Sequence, residues 1–82
     1  MSEIPQNIVK SKPGAYIITK IKGIKNNNLL DSLTDIGFVE GQYIIVLHFS
    51  TKRDLYVNIN EATYYIRRKL LKDVYVKETW AK

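Results

Sequence analysis

The hydrophobic period of the chain changes across Leu33, Thr34, Asp35, Ile36, Gly37, Phe38, Val39, Glu40 and Gly41, where two glycines four residues apart separate helical spacing from alternation. Upstream, Leu29, Leu30, Leu33 and Ile36 fall at i, i+1, i+4 and i+7, which puts them on one face of a helix of about three turns. Asn26, Asn27 and Asn28 offer side-chain acceptors to the unpaired first-turn N–H groups. Gly37 follows the last apolar position, where a helix often ends in a left-handed residue that glycine adopts without steric cost. Beyond Gly41, the run Tyr43, Ile44, Ile45, Val46, Leu47, His48 and Phe49 is β-branched and aromatic and predicts a strand. The segment therefore reads as helix, turn, strand.

The remaining elements are short strands. Residues 1–12 form a polar lead-in with isolated apolar side chains, and the body starts at Pro13. Ala15 to Ile21 alternate in a first strand that Gly23 ends, and Lys25 with the three asparagines forms a loop into the helix. Leu55 to Ile59 make a strand set off by Ser50, Thr51, Lys52, Arg53 and Asp54, at hairpin spacing. Glu61, Ala62 and Thr63 turn into Tyr64, Tyr65 and Ile66; Arg67 to Lys72 fits a single 3₁₀ or α turn, and Val74, Tyr75 and Val76 close the sheet. The expected fold is mainly β with one helix, a small barrel of about five short strands whose closure hides sheet edges. The expected division is a lead-in over 1–12, a domain over 13–77 and a tail over 78–82.

Composition narrows the chemistry. With 82 residues and 45% hydrophobic content the chain builds one small core, and a domain of that size buries only about 60–65% of its unfolded surface. No apolar stretch approaches the roughly 20 residues that cross a bilayer. The N-terminal residues, with Glu3 and Pro5 before Ile8 and Val9, lack a signal-peptide apolar region, so a cytoplasmic protein without membrane insertion is expected. The absence of cysteine excludes disulfides, thiolate metal sites and cysteine nucleophiles.

No catalytic constellation is visible. His48, the one histidine, stands inside an expected strand, and no His, Asp and Glu group has the spacing of a metal motif. Asp31 and Asp35, four apart, share a solvated helix face near Glu40, with no His or Lys placed to tune them. Neither Gly-x-x-x-x-Gly-Lys-Ser/Thr nor Gly-x-Gly-x-x-Gly occurs, so no nucleotide, cofactor or catalytic activity is expected. The net charge of +5 and the cluster Arg67, Arg68, Lys69 and Lys72 beside Tyr64 and Tyr65 suit phosphates and stacked bases. Alternation turns only one of the two tyrosines outward, however, and a solvated or protein-binding basic face is the preferred reading. Nucleic acid stays as the alternative.

The order of these motifs resembles the FeoA family, small SH3-like barrels associated with bacterial ferrous iron uptake. There a Pro-Gly enters the first strand, a leucine-bearing helix ends in Leu-Gly-hydrophobic-x-x-Gly, and a hydrophobic-Arg pair precedes a helical turn and the last strand. Pro13 and Gly14, then Leu33, Ile36, Gly37, Phe38 and Gly41, then Ile66, Arg67 and Arg68, and finally Val74 and Val76 match in turn, with Ile36 for the usual leucine. The likeness runs from Ser11 to Lys77. The chain departs from the pattern at Lys52 to Leu55, where Gly-Asp-Pro is common, at Asn60 and Glu61, where a hairpin glycine is usual, and at Leu70 and Leu71, where Glu-Ala is common.

The resemblance implies an SH3-like fold and a non-enzymatic accessory of iron uptake that contacts the cytosolic GTPase-bearing part of a FeoB-type ferrous iron permease. Similar domains are appended to metal-responsive repressors; no helix-turn-helix stands ahead of the barrel here, so this chain is not expected to be one. Candidate contact residues are Leu33, Phe38 and Val39 at the turn, Arg67 and Arg68 for acidic groups, and Trp80 as an aromatic anchor. For Leu33 and Phe38 a core position is the preferred assignment and a contact role the alternative, and Trp80 can equally fold back on the barrel.

Overall fold

The computed structural model describes residues 5–22 and 27–79. Its elements are β1 (Gln6–Asn7), a 3₁₀ turn (Ile8–Lys10), β2 (Gly14–Ile21), α1 (Asn27–Asp35), β3 (Tyr43–Val46), β4 (Asp54–Ile59), β5 (Ala62–Arg67), a 3₁₀ turn (Arg68–Leu71) and β6 (Val74–Glu78). The strands form one sheet in the order β1-β6-β2-β3-β4-β5, with every pair antiparallel. Thus the described residues are mainly β with a single helix, as the sequence predicts, and the expected short 3₁₀ turn starts at the second arginine, Arg68.

Period-2 alternation decides the interior. Leu55, Val57 and Ile59 of β4 are buried together with Tyr16 and Ile18 of β2, Ile44 and Val46 of β3, and Val74 and Val76 of β6. The helix adds Leu33, with Leu29 and Ile36 packed against the cluster, whereas Leu30 is exposed. The apolar stripe is therefore narrower than the four-residue face read from the sequence.

The two ends of the sheet are tied together through the 3₁₀ turns that follow β1 and β5. The Arg68 guanidinium donates from Nε to the Thr51 carbonyl and from Nη1 to the Val9 carbonyl, both at 2.6 Å. The Asn7 side-chain amide donates to the Lys72 carbonyl. Between them Ile8 and Leu71 are buried, so the closure is packed as well as hydrogen-bonded. β2 bridges the opposite side, pairing with β3 through Gly14 to Ile17 and with β6 through Tyr16 to Ile21, with a register shift between Ile18 and Lys20.

Three expectations are corrected. The lead-in contributes a strand, β1, because Gln6 and Asn7 pair with Val76 and Tyr75, making six strands rather than five among the described residues. The second predicted strand stops at Val46, so His48 and Phe49 are exposed turn residues. The cause is Ser50, whose hydroxyl donates to the Leu47 carbonyl at 2.9 Å and accepts the Tyr56 N–H at 2.8 Å, replacing the next ladder bonds. The fourth predicted strand starts earlier, at Ala62, because Asn60 and Glu61 alone form the turn, with φ of 53° and 72°. Gly23, Lys25, Asn26 and Trp80 lie outside the described residues.

Candidate docking surface

The outer faces of β4 and β5 form a strip of paired side chains. The register sets Asp54 against Arg67, Tyr56 against Tyr65 and Asn58 against Thr63, while the alternate residues Leu55, Val57 and Ile59 point to the core. Tyr65 is 72% exposed, and its ring centroid lies 5.8 Å from that of Tyr56. Tyr56 is in turn met edge-on by Phe49 at 4.9 Å, and Phe49 by His48 at 5.6 Å. The shortened β3 makes this possible, since it releases His48 and Phe49 into the turn that folds over β4. The result is a continuous aromatic strip on a surface where Phe49 remains half exposed.

Arginines border the strip. Asp54 pairs with Arg67 at 3.3 Å and with Arg53 at 3.8 Å; its own side chain is 15% exposed, whereas that of Arg53 is 74% exposed. The acid holds both arginines beside the rings, and the cations face outward.

The sequence-predicted contact residues divide into three groups. Leu33 and Phe38 lie in the core at 3% and 0% exposure, so neither side chain offers a surface to a partner. Val39 is half-buried in the turn, which is fixed to β2 by Gly41 N–H donating to the Ile18 carbonyl at 2.7 Å and by Ile21 N–H donating to Glu40 Oε2 at 3.0 Å. Arg67 is exposed on the strip, but Arg68 is committed to the barrel seam. Gly37 sits against Ile59 and Asn60 at the hairpin tip, and Arg67 stands at the other end of β5. A strand of that length separates the two by roughly 17 Å, so the turn and the arginine do not form one site.

Of the strip, the sequence singled out Tyr65 and Arg67 and missed Phe49, Tyr56, Arg53 and Asp54. Tyr56 and Tyr65 were findable from hairpin register, since both are outward positions of alternating strands. Phe49 was hidden by its place at the end of a strand-like run. Elsewhere, a cleft of about 480 Å³ lined by Pro5, Thr19, Lys20, Lys22 and Tyr75 has the Lys22 ammonium 5.6 Å from the Tyr75 ring centre. Among the described residues, no group of three or more His, Cys, Asp and Glu could hold a metal ion, and no helix is long and apolar enough to cross a membrane.

The fold is similar to that of solved proteins. An iron uptake regulatory protein, FeoA, superposes with a TM-score of 0.75 at 21% identity over 90% of this chain and 97% of that one. The FeoA protein of Chlorobium tepidum gives 0.76 at 22% identity over 94% and 73%. ScaR, a manganese-activated repressor whose structure was solved with bound Zn²⁺, gives 0.75 at 19% identity over 89% of this chain and 36% of its own. These likenesses identify the fold as the SH3-like small barrel. No curated protein matches the chain significantly in sequence. The FeoA domain model matches residues 11–78, nearly all of the sheet with its helix, turn and closing Arg68, and the chain belongs to the FeoA family.

Proposed function

We propose that this protein is a non-enzymatic, cytoplasmic accessory of bacterial ferrous iron transport that acts by contact with the cytosolic, GTPase-bearing part of a FeoB-type permease. The observation that carries this reading is the family match across residues 11–78. The outer strip adds physical support, because exposed tyrosine and arginine side chains are the types that anchor protein interfaces. Binding modulates the permease without supplying catalytic groups to it, and nucleotide is bound by the permease alone.

A titration of the labelled chain with the cytosolic domain of the cognate permease tests this. Localised NMR shifts are expected, with a salt dependence much shallower than that of phosphate binding. Absence of binding to both that domain and the full-length permease overturns the proposal. Binding of a single-stranded oligonucleotide that collapses with added salt, in place of permease binding, establishes instead a nucleic-acid-associated barrel.

A further inference from the structure

Among the described residues β5 is a terminal strand: it pairs with β4 and with no other strand. The two-residue turn at Asn60 and Glu61 determines which backbone groups that pairing uses. Ile59 and Ala62 flank the turn as a hydrogen-bonded pair, so Ala62, Tyr64 and Ile66 direct their N–H and C=O groups to β4. Thr63, Tyr65 and Arg67 direct theirs away. Contacts on either side agree with this alternation. The Tyr56 carbonyl accepts from Leu47 N–H at 2.8 Å on the β3 side, and Arg68 N–H returns to the Arg53 carbonyl at 2.9 Å. Three outward donors and three outward acceptors therefore recur along β5 at a spacing of about 7 Å.

Natural edges are usually blunted by proline, lysine, a bulge or a short strand. β5 has no proline, lysine or bulge: it runs six residues from Ala62 to Arg67 in unbroken register, and its one charged residue, Arg67, stands at the end of the strand. The aromatic strip lies on the face beside this edge. Arg67 and Arg53 stand at its end with Lys52 and Lys69 exposed nearby, and the one acid among them, Asp54, is already paired to both arginines.

We propose that the outer edge of β5 binds an extended, acidic segment of a partner protein as an added strand, pairing with the backbones of Thr63, Tyr65 and Arg67 and placing carboxylates against Arg67 and Arg53. Alternate side chains of that segment lie over Tyr65 and Tyr56. A row of alternating donors and acceptors matches a polypeptide backbone, whereas a nucleic acid has no complement to it. A second copy of this chain fits less well, because its β5 carries no carboxylate to set against Arg67 and Arg53 and its net charge of +5 opposes association. The inference deepens the accessory reading and rests on it for a protein as the partner.

The test uses the full labelled chain and a peptide of about ten residues alternating glutamate with valine or tyrosine, with its lysine-for-glutamate counterpart as control. The acidic peptide is expected to shift and slow the exchange of the Thr63, Tyr65 and Arg67 amides, and the lysine peptide is not. Thr63→Pro removes an outward donor that β4 does not use, and Arg67→Glu reverses the charge; each is expected to weaken acidic-peptide binding about tenfold or more. Equal binding of both peptides, shifts confined to another face, or wild-type affinity in a folded Thr63→Pro and in Arg67→Glu overturns the assignment. So does an oligonucleotide that perturbs Tyr56 and Tyr65 where the acidic peptide does not. Permease binding that survives both substitutions overturns the edge assignment and leaves the accessory reading standing. Peptide capture at β5 without any permease binding does the reverse.

Discussion

The Phe38 backbone N–H donates to the Leu33 carbonyl at 2.8 Å, and the side chains of the same two residues belong to one buried cluster. Together with Gly37 N–H donating to the Thr34 carbonyl at 3.0 Å, this closes the helix in a Schellman motif with its apolar contact turned into the core. Gly37 has φ of 92°, and a Cβ there would meet Asn60 Nδ2 and Ile59 Cγ2 at 3.2 Å. Gly41 has φ of 90° with open space around it. Gly41→Ala is therefore expected to lose about 1 kcal/mol from backbone strain alone. Gly37→Ala loses about 1–3 kcal/mol, because crowding adds to the same strain. Equal losses in urea denaturation would show that the hairpin tip yields freely.

This motif was legible because its signals are local: an apolar stripe, then a glycine at the left-handed position. β1 was not legible, since Gln6 and Asn7 carry no strand pattern and exist as a strand only through pairing with β6, some seventy residues away. Ile8 looked like an isolated apolar residue and is fully buried for the same long-range reason. The end of β3 depended on one hydroxyl, Ser50, competing for ladder groups in the middle of a run that propensity reads as continuous. The docking strip followed from that missed end. Outward Tyr65 was predictable from alternation, but Phe49, which meets Tyr56, falls in a run that reads as strand and lies in a turn. Arg67 and Arg68 looked equivalent in sequence; strand geometry gives one to solvent and the other to the seam.

That last difference is measurable. Arg68→Ala leaves the Val9 and Thr51 carbonyls without their donor and should destabilise the protein by about 1–3 kcal/mol. Arg68→Lys should recover only part of this, because an ammonium cannot reproduce the fork that spans both carbonyls. Arg67→Ala breaks a surface ion pair with Asp54 at 3.3 Å and should change stability by about 1 kcal/mol at most. Denaturant midpoints for the three variants check the ordering, and a larger loss at Arg67 than at Arg68 would contradict it.

Glu61 occupies a left-handed position in a two-residue hairpin turn, at φ of 72°. Glycine takes that conformation without a Cβ penalty, and Asn-Gly is the favoured pair for such a turn. Glu61→Gly should accordingly stabilise the fold by about 1 kcal/mol, the lower end of the strain of a non-glycine residue there. Thermal denaturation reads this as a higher midpoint. An unchanged or lower midpoint would mean that the glutamate side chain compensates for the strain.

Tyr16 supplies a pH dependence. Burial first, and the negative charge of Glu78 second, raise its pKa above the ordinary value of 10.0, and its hydroxyl donates to the Lys12 carbonyl at 2.6 Å. Well below pH 10 the phenol is protonated in both folded and unfolded chains, and its contribution to stability is fully present. As pH rises, the unfolded chain ionises first, so the unfolded state binds fewer protons and stability falls until the folded group ionises too. Tyr16→Phe should lose about 1 kcal/mol at neutral pH with the hydrogen bond. Its stability should also fall less steeply than that of wild type as pH is raised from neutrality to beyond the ordinary tyrosine value. Urea denaturation of both proteins across that range decides the matter, since parallel curves would place the alkaline sensitivity on other groups.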